Sequence, residues 1–250
     1  MDDVKRSLEY SNVTYRAITL LMVSSGMSRA EISSLTFKDL FKAFSLDNDP
    51  RTIKELLDKL NELDNLVPIW HIKRIKTGKH YFTFNSPEAS LAIFGYLSDI
   101  DIKYGVVPLP SNKLFSNITT GIPVSPDSIT EVYRRINKKA GFRKVNGRLL
   151  VRPHSLRKLF ASTLEKNDFP YIATRHILGH SVDKTTGAYF KADPESVRDK
   201  YLDVVGQIST SAVKVVVVDR YDEVKDEIED LKLKQVLYER QIKALSKNKS

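Results

Sequence analysis

Apolar side chains at Leu8, Val13, Ile18, Leu21 and Met22 recur at roughly helical spacing and predict a helix over residues 5–25. Ser24-Ser25-Gly26 predicts its end, and Ser28 with Glu31 three residues later gives a capping-box pattern for a second helix. Ile53, Leu56, Leu57 and Leu60 make residues 50–63 amphipathic, with Asp49 ahead of Pro50 at the first turn. The texture then changes. Residues 67–73 and 80–85 alternate or are β-branched and aromatic, and Lys76-Thr77-Gly78-Lys79 lies between them, which predicts a β-hairpin. Helical patterns return at 87–99, 128–139, 154–166, 170–178, 183–190 and 194–205. Pro108, Pro110, Pro123 and Pro126 mark 101–127 as a long surface connection. The expected fold is mostly α with a small antiparallel β-sheet, an α+β class.

The end of the chain reads differently. Residues 213–218 form a strand-like apolar run interrupted by Lys214. Beyond it Tyr221, Val224, Ile228, Leu231, Gln235, Tyr238, Ile242 and Leu245 alternate spacings of three and four, a heptad pattern with one polar seam residue. Two readings of that helix stand side by side: oligomerisation, or packing back on its own domain. The expected organisation is a body over 1–206, a linker or strand over 207–218 and a heptad-patterned helix over 219–250.

Composition narrows the field. In 250 residues, 40 Lys and Arg face 31 Asp and Glu, a net charge of +9, which suggests a polyanionic partner such as nucleic acid. With zero cysteines, disulfides, thiolate zinc sites and cysteine nucleophiles are excluded. The longest apolar run is far too short to span a bilayer, and Met1-Asp-Asp-Val-Lys-Arg lacks a signal-peptide pattern, so no membrane partner and a cytoplasmic location are expected.

Among the 5 histidines, two keep unusual company. Pro153-His154-Ser155-Leu156-Arg157 opens a helix, so imidazole and guanidinium share a face near a helix N-terminus, where a phosphate is readily held. A surface His-Arg pair without a task is the alternative. Leu178-Gly179-His180 follows a short helix, and Gly179 suits a left-handed cap that turns His180 off the axis. His176 and His180 also have the spacing of a zinc-binding pair. However, Ile177 stands where a metalloprotease has glutamate, and no third ligand follows. Tyr189 comes next in order, and Tyr201 is a reserve whose simpler reading is helical core.

Taken together, His154-x-x-Arg157, Leu178-Gly179-His180 and Tyr189 resemble the H-x-x-R, L-G-H and nucleophilic tyrosine of the tyrosine recombinase (phage integrase) family, in order and spacing. The turn Lys76-Thr77-Gly78-Lys79 resembles that family's lysine-bearing hairpin, which puts its lysine on Lys76, with Lys79 and then Lys73 as alternatives. The segment Ser25-Gly-Met-Ser-Arg-Ala-Glu-Ile-Ser-Ser-Leu35 resembles its first-arginine box, and the style of that box and of the tail looks most like archaeal members. The resemblance covers roughly residues 10–205.

It implies the tyrosine recombinase catalytic-domain fold and a site-specific recombinase that breaks and rejoins DNA through a 3′-phosphotyrosyl intermediate. It implies no cofactor and no metal. Arg29, Lys76, His154, Arg157, His180 and the nucleophile Tyr189 are the implied catalytic set. Lys73, Arg74, Lys79, Arg134, Arg135 and Lys138 are candidate DNA contacts, and the implied partners are double-stranded DNA and a homo-oligomer, a dimer or tetramer on that DNA. A catalytically impaired DNA-binding remnant and a type IB topoisomerase-like relaxase are the alternatives.

Two departures matter. Members usually carry an N-terminal helical clamp domain, whereas this chain begins almost directly at the catalytic one. The family box also places its arginine three residues before the glutamate, where this chain has Ser28, with Arg29 only two before Glu31. A one-residue step rotates a helical side chain by about 100°. Either Arg29 serves from that shifted position or the first arginine is lost, and the favoured expectation is a local backbone adjustment at Gly26–Ser28 that brings Arg29 into place.

Overall fold

The computed structural model describes residues 1–46, 50–181 and 193–210. The chain divides into two units, Met1–Ala212 and Val213–Ser250. The heptad pattern, the strand-like run, the helix expected over 183–190 and Tyr189 all lie outside the described residues.

The helix expected over 5–25 is two helices, α1 (Asp2–Glu9) and α2 (Val13–Ser25). The break has a local cause: the Asn12 side chain accepts the Tyr15 N–H and starts a new helix, overriding the apolar spacing that runs through it. α2 is the hub of the fold, apolar nearly all round and packed against α6 (Pro87–Tyr104) and α8 (Pro153–Lys166). Its buried Thr19, Ser24 and Ser25 return their hydroxyls to carbonyls four residues back, so these three donors are satisfied within the core.

The capping box at Ser28 and Glu31 opens α3 (Arg29–Ser34). A further helix, α4 (Phe37–Ala43), is absent from the sequence reading, although Thr36 and Asp39 give it a second capping box and Phe37, Leu40 and Phe41 bury its inner face. α5 (Ile53–Asn61) begins later than expected, because the cap is Thr52, which accepts the Glu55 N–H.

The sheet is the expected hairpin, β1 (Ile69–Lys73) paired antiparallel with β2 (His80–Phe84), running from Ile69 opposite Phe84 to Lys73 opposite His80. Two strands alone are marginal in water, and here the sheet packs on α4 and α9 (Tyr171–Ile177). Trp70, fully buried, donates its indole N–H to Asn85 at 2.6 Å.

The expected surface connection after α6 is partly interior: Leu114, Phe115 and Val124 are buried, and Ser116 N–H donates to the Tyr96 hydroxyl at 2.7 Å. Beyond it come α7 (Pro126–Lys139), α8, α9 and α10 (Pro194–Ile208). Phe84, Phe160, Leu164, Ile177 and Tyr201 share one apolar cluster that holds α8, α9, α10 and the hairpin together. The architecture is a mostly helical body with one two-stranded antiparallel sheet.

Candidate active site

Four chain ends converge on one corner: the end of α2, the hairpin turn, the start of α8 and the end of α9. Each is placed by backbone chemistry. α2 ends at Gly26 in the left-handed region (φ 68°), and a Cβ there would lie 2.5 Å from Phe160. α8 opens with Pro153, whose missing N–H costs nothing in a first turn.

α9 ends as the glycine spacing predicts. The Gly179 N–H donates to His176 carbonyl at 2.7 Å and the His180 N–H to Arg175 carbonyl at 2.9 Å, the paired bonds of a Schellman cap. The cap leaves the Leu178 and Gly179 carbonyls pointing into the corner, where two guanidinium groups take them up.

Arg157 occupies the centre. Nη1 donates to the Gly26 carbonyl at 2.5 Å, and Nη2 donates to the Leu178 carbonyl and lies 3.4 Å from His180 Nε2. Its counter-ion is Glu31, 2% exposed, with Oε2 at 3.9 Å from Nη1 and also accepting the Ser28 N–H. Burial lowers the Arg157 pKa from its ordinary value, but a guanidinium still stays charged at neutral pH.

His180 is exposed, and burial of its ring edge, reinforced by Arg157, Arg74 and Arg175, holds its pKa below the ordinary imidazole value. His154, exposed in the first turn of α8, is likewise lowered, by desolvation first and then by Arg152, Lys158 and Arg157. Both imidazoles are therefore neutral at pH 7.

The hairpin adds two cations. Arg74 Nη1 donates to the carbonyls of Leu178 at 2.6 Å and Gly179 at 3.0 Å. Lys79 Nζ donates to Ser181 Oγ at 2.8 Å. The Lys76 side chain, at the exposed turn, makes no hydrogen bond or ion pair among the described residues, and neither does the exposed Lys73 side chain.

The expected adjustment at Gly26–Ser28 is not what the structure shows. Ser28 is an ordinary extended N-cap (φ −80°, ψ 162°) whose capping box fixes the phase of α3. Arg29 consequently faces α7, where Nη1 donates to Thr130 Oγ1 and to the Pro126 carbonyl at 3.2 Å and pairs with Asp127 at 3.4 Å. No contact joins it to Arg157 or His180 among the described residues.

On α7, Arg134 and Arg135 both pair with Glu131, and Lys138 lies exposed beside them. His176 is buried with its ring 4.7 Å from that of Phe82, so it faces the core while His180 faces the corner. Tyr201 is fully buried and spends its hydroxyl on the Ser24 carbonyl at 2.7 Å, which removes it as a reserve nucleophile.

Sequence reasoning passed over Glu31 as more than a cap, and Arg74 as more than a DNA contact. The capping-box spacing exposed the first only as a helix start. No periodicity could reveal the second, because its partners lie about a hundred residues away.

A family model described as the phage integrase family matches residues 53–196, more than half of the chain. Among solved structures, a XerA recombinase is similar at 23% identity and a TM-score of 0.51, covering 81% of this chain and 62% of that one. A XerH site-specific recombinase, solved as a post-cleavage complex with its palindromic difH substrate, is similar at 20% identity and a TM-score of 0.50, covering 79% of this chain and 50% of that one. The chain thus spans less than two-thirds of the length of either protein. No curated protein matches the chain. The structural likeness shows that the body has the tyrosine recombinase catalytic-domain fold.

Proposed function

The chain belongs to the phage integrase family, and from that premise we propose that it is a tyrosine-type site-specific DNA recombinase working through a 3′-phosphotyrosyl intermediate without a metal. The observation that carries this reading is the meeting of Arg157, from α8, with His180, just past the end of α9: Arg157 Nη2 donates to the Leu178 carbonyl and lies 3.4 Å from His180 Nε2. A guanidinium and an imidazole side by side can both donate to one anion, the arrangement needed where charge grows on a phosphate.

The step balances simply. The Tyr189 phenol loses its proton to His154, its oxygen attacks phosphorus, and the bond to the 5′-oxygen breaks. That oxygen takes a proton from a hairpin lysine and leaves as a hydroxyl. The lowered pKa of His154 suits a base that must start neutral. Lys76 is the acid by resemblance, while Lys79 is the lysine already anchored beside Ser181. Arg157 and His180 hold the non-bridging oxygens, and Glu31 keeps Arg157 aimed. Rejoining reverses the steps with a new 5′-hydroxyl and returns the bond energy to DNA. Double-stranded DNA is the substrate, gripped by Lys73, Lys79, Arg134, Arg135 and Lys138 through its phosphates. Strand exchange uses several copies of the chain. Residues 1–210, through the end of α10 and the bond from the Thr210 N–H to Glu88, serve as the catalytic body rather than ending at 206, and the heptad-patterned stretch 219–250 serves assembly.

The outward turn of Arg29 favours one rival, a DNA-binding remnant that has lost its chemistry. A pool of nicked duplexes with randomised sequence around the nick separates them, because loss of the short 5′-hydroxyl fragment traps the covalent complex. The recombinase reading expects a DNA-linked band on a denaturing gel, persistent in EDTA and absent from Tyr189→Phe. Sequencing the trapped duplexes then gives the cleavage site. No band from the unaltered protein establishes the remnant, and a band lost in EDTA overturns the metal-free mechanism.

A further inference from the structure

We propose that Arg74 supplies the second guanidinium of the catalytic corner, taking the phosphate-clamping place that Ser28 and Arg29 leave unfilled. This rests on the recombinase reading above and goes beyond it in assigning a residue and a geometry.

Four observations converge. First, the place is open: Ser28 caps α3 and Arg29 is committed to α7. Second, Arg74 Nη1 and Arg157 Nη2 donate to the same Leu178 carbonyl, so the two guanidinium groups sit side by side. Third, Arg74 is half-buried without a carboxylate: among the described residues it makes no ion pair, and Nε and Nη2 make no hydrogen bond. Like charges at this range repel, and among the described residues Glu31 pairs with Arg157 alone. Among the described residues, the corner holds Arg74, Arg157 and Arg175 against that one carboxylate, and all three act on His180. An anion is what the cluster lacks. Fourth, the approach depends on Gly179, whose Cβ, if present, would lie 2.8 Å from the Tyr81 ring and 3.1 Å from Arg74 Nη1.

Chemically, the arrangement gives a dianionic phosphorane two planar donors instead of one. Nη1 of Arg74 stays anchored on the carbonyls, while Nη2 and Nε remain to donate to a non-bridging oxygen. A planar fork preorganised in this way is not replaced by an ammonium group.

The test uses the full chain and nicked duplex carrying the cleavage site recovered above. Removing one such donor is expected to slow adduct formation by about a hundredfold or more in Arg74→Ala. Arg74→Lys should remain nearly as slow, while duplex affinity measured by fluorescence anisotropy stays within about threefold, since one phosphate contact changes binding modestly. Two further arms separate chemistry from scaffolding. A neutral methylphosphonate at the scissile position carries no charge to clamp, so Arg74→Ala should match the unaltered protein there. Ser28→Arg, which restores the family's position, should recover at least about tenfold of the rate, the size of a partly restored electrostatic contact.

An Arg74→Ala rate within about threefold of the unaltered protein, less than one transition-state donor is worth, overturns the proposal while leaving the recombinase intact. Equal slowing on phosphate and methylphosphonate overturns it in favour of a scaffolding role, and a loss wholly in affinity overturns it in favour of a plain DNA contact. No adduct from the unaltered protein overturns both this inference and the reading beneath it.

Discussion

The start of α8 and the start of α3 each offer an arginine near a helix N-terminus, and the two side chains go opposite ways. Arg157 sits a full turn inside α8, so its direction is set by the helix and its neighbours Gly26, Leu178 and Glu31 receive it. Arg29 is the first residue of α3, just past its cap, and is 44% exposed in the ion pair with Asp127. Spacing within a helix carries over into space because the phase is fixed. Spacing across a cap does not, because the capping box chooses the phase for its own hydrogen bonds.

That contrast can be broken from its strong side. Arg157→Ala should lower adduct formation by about a thousandfold, and it leaves the buried Glu31 carboxylate without its counter-charge, costing about 3–5 kcal/mol of stability. Adduct kinetics and urea midpoints, measured together, check both. Retention of either property would mean that the inward arginine is no better placed than the outward one.

The acid side of the pH profile is the next test. His154 has a depressed pKa, so it is neutral and able to accept a proton above its ordinary titration range. Activity should hold down to about pH 6.5 and fall below it, tenfold per unit, as the base is protonated. In kcat/KM, which reports the free enzyme, an acid limb centred above that value would remove His154 as the base.

Smaller effects probe the backbone that sets the phase. Gly26→Ala drives a methyl into Phe160 and Leu178 at a left-handed position, and should cost about 1–3 kcal/mol in urea unfolding. Smallest of all, Arg29→Ala should leave adduct formation unchanged and shift stability by less than about 1 kcal/mol, as exposed ion pairs do. A large rate loss there would erase the distinction between the two helix starts.

Much of this was legible in the chain. The hairpin, the helix carrying His154 and Arg157, and the glycine turn before His180 all follow from local signals: alternation, a first-turn proline, a left-handed cap. What local signals missed depended on competition or distance. Asn12 breaks a continuous apolar pattern because one side-chain hydrogen bond outranks it. α4 was passed over although its capping box is written in Thr36 and Asp39, because its short apolar run lacks a full period. Leu114 and Phe115 are buried in a segment whose prolines spoke for the surface. Arg74 was read as one more basic residue, since its role depends on Leu178 and Gly179, which only folding brings near.

The Leu178 carbonyl has a consequence for how this site can change over generations. The group that gathers Arg74 and Arg157 belongs to the main chain, so no substitution of a side chain can delete it. Leu178 can drift among apolar residues of similar size while the acceptor stays where it is. The vulnerable letters are instead the two glycines beside it, Gly26 and Gly179, neither of which contacts DNA in this scheme. Inherited loss of activity in such a lineage would therefore be expected to begin at residues that carry no chemistry at all.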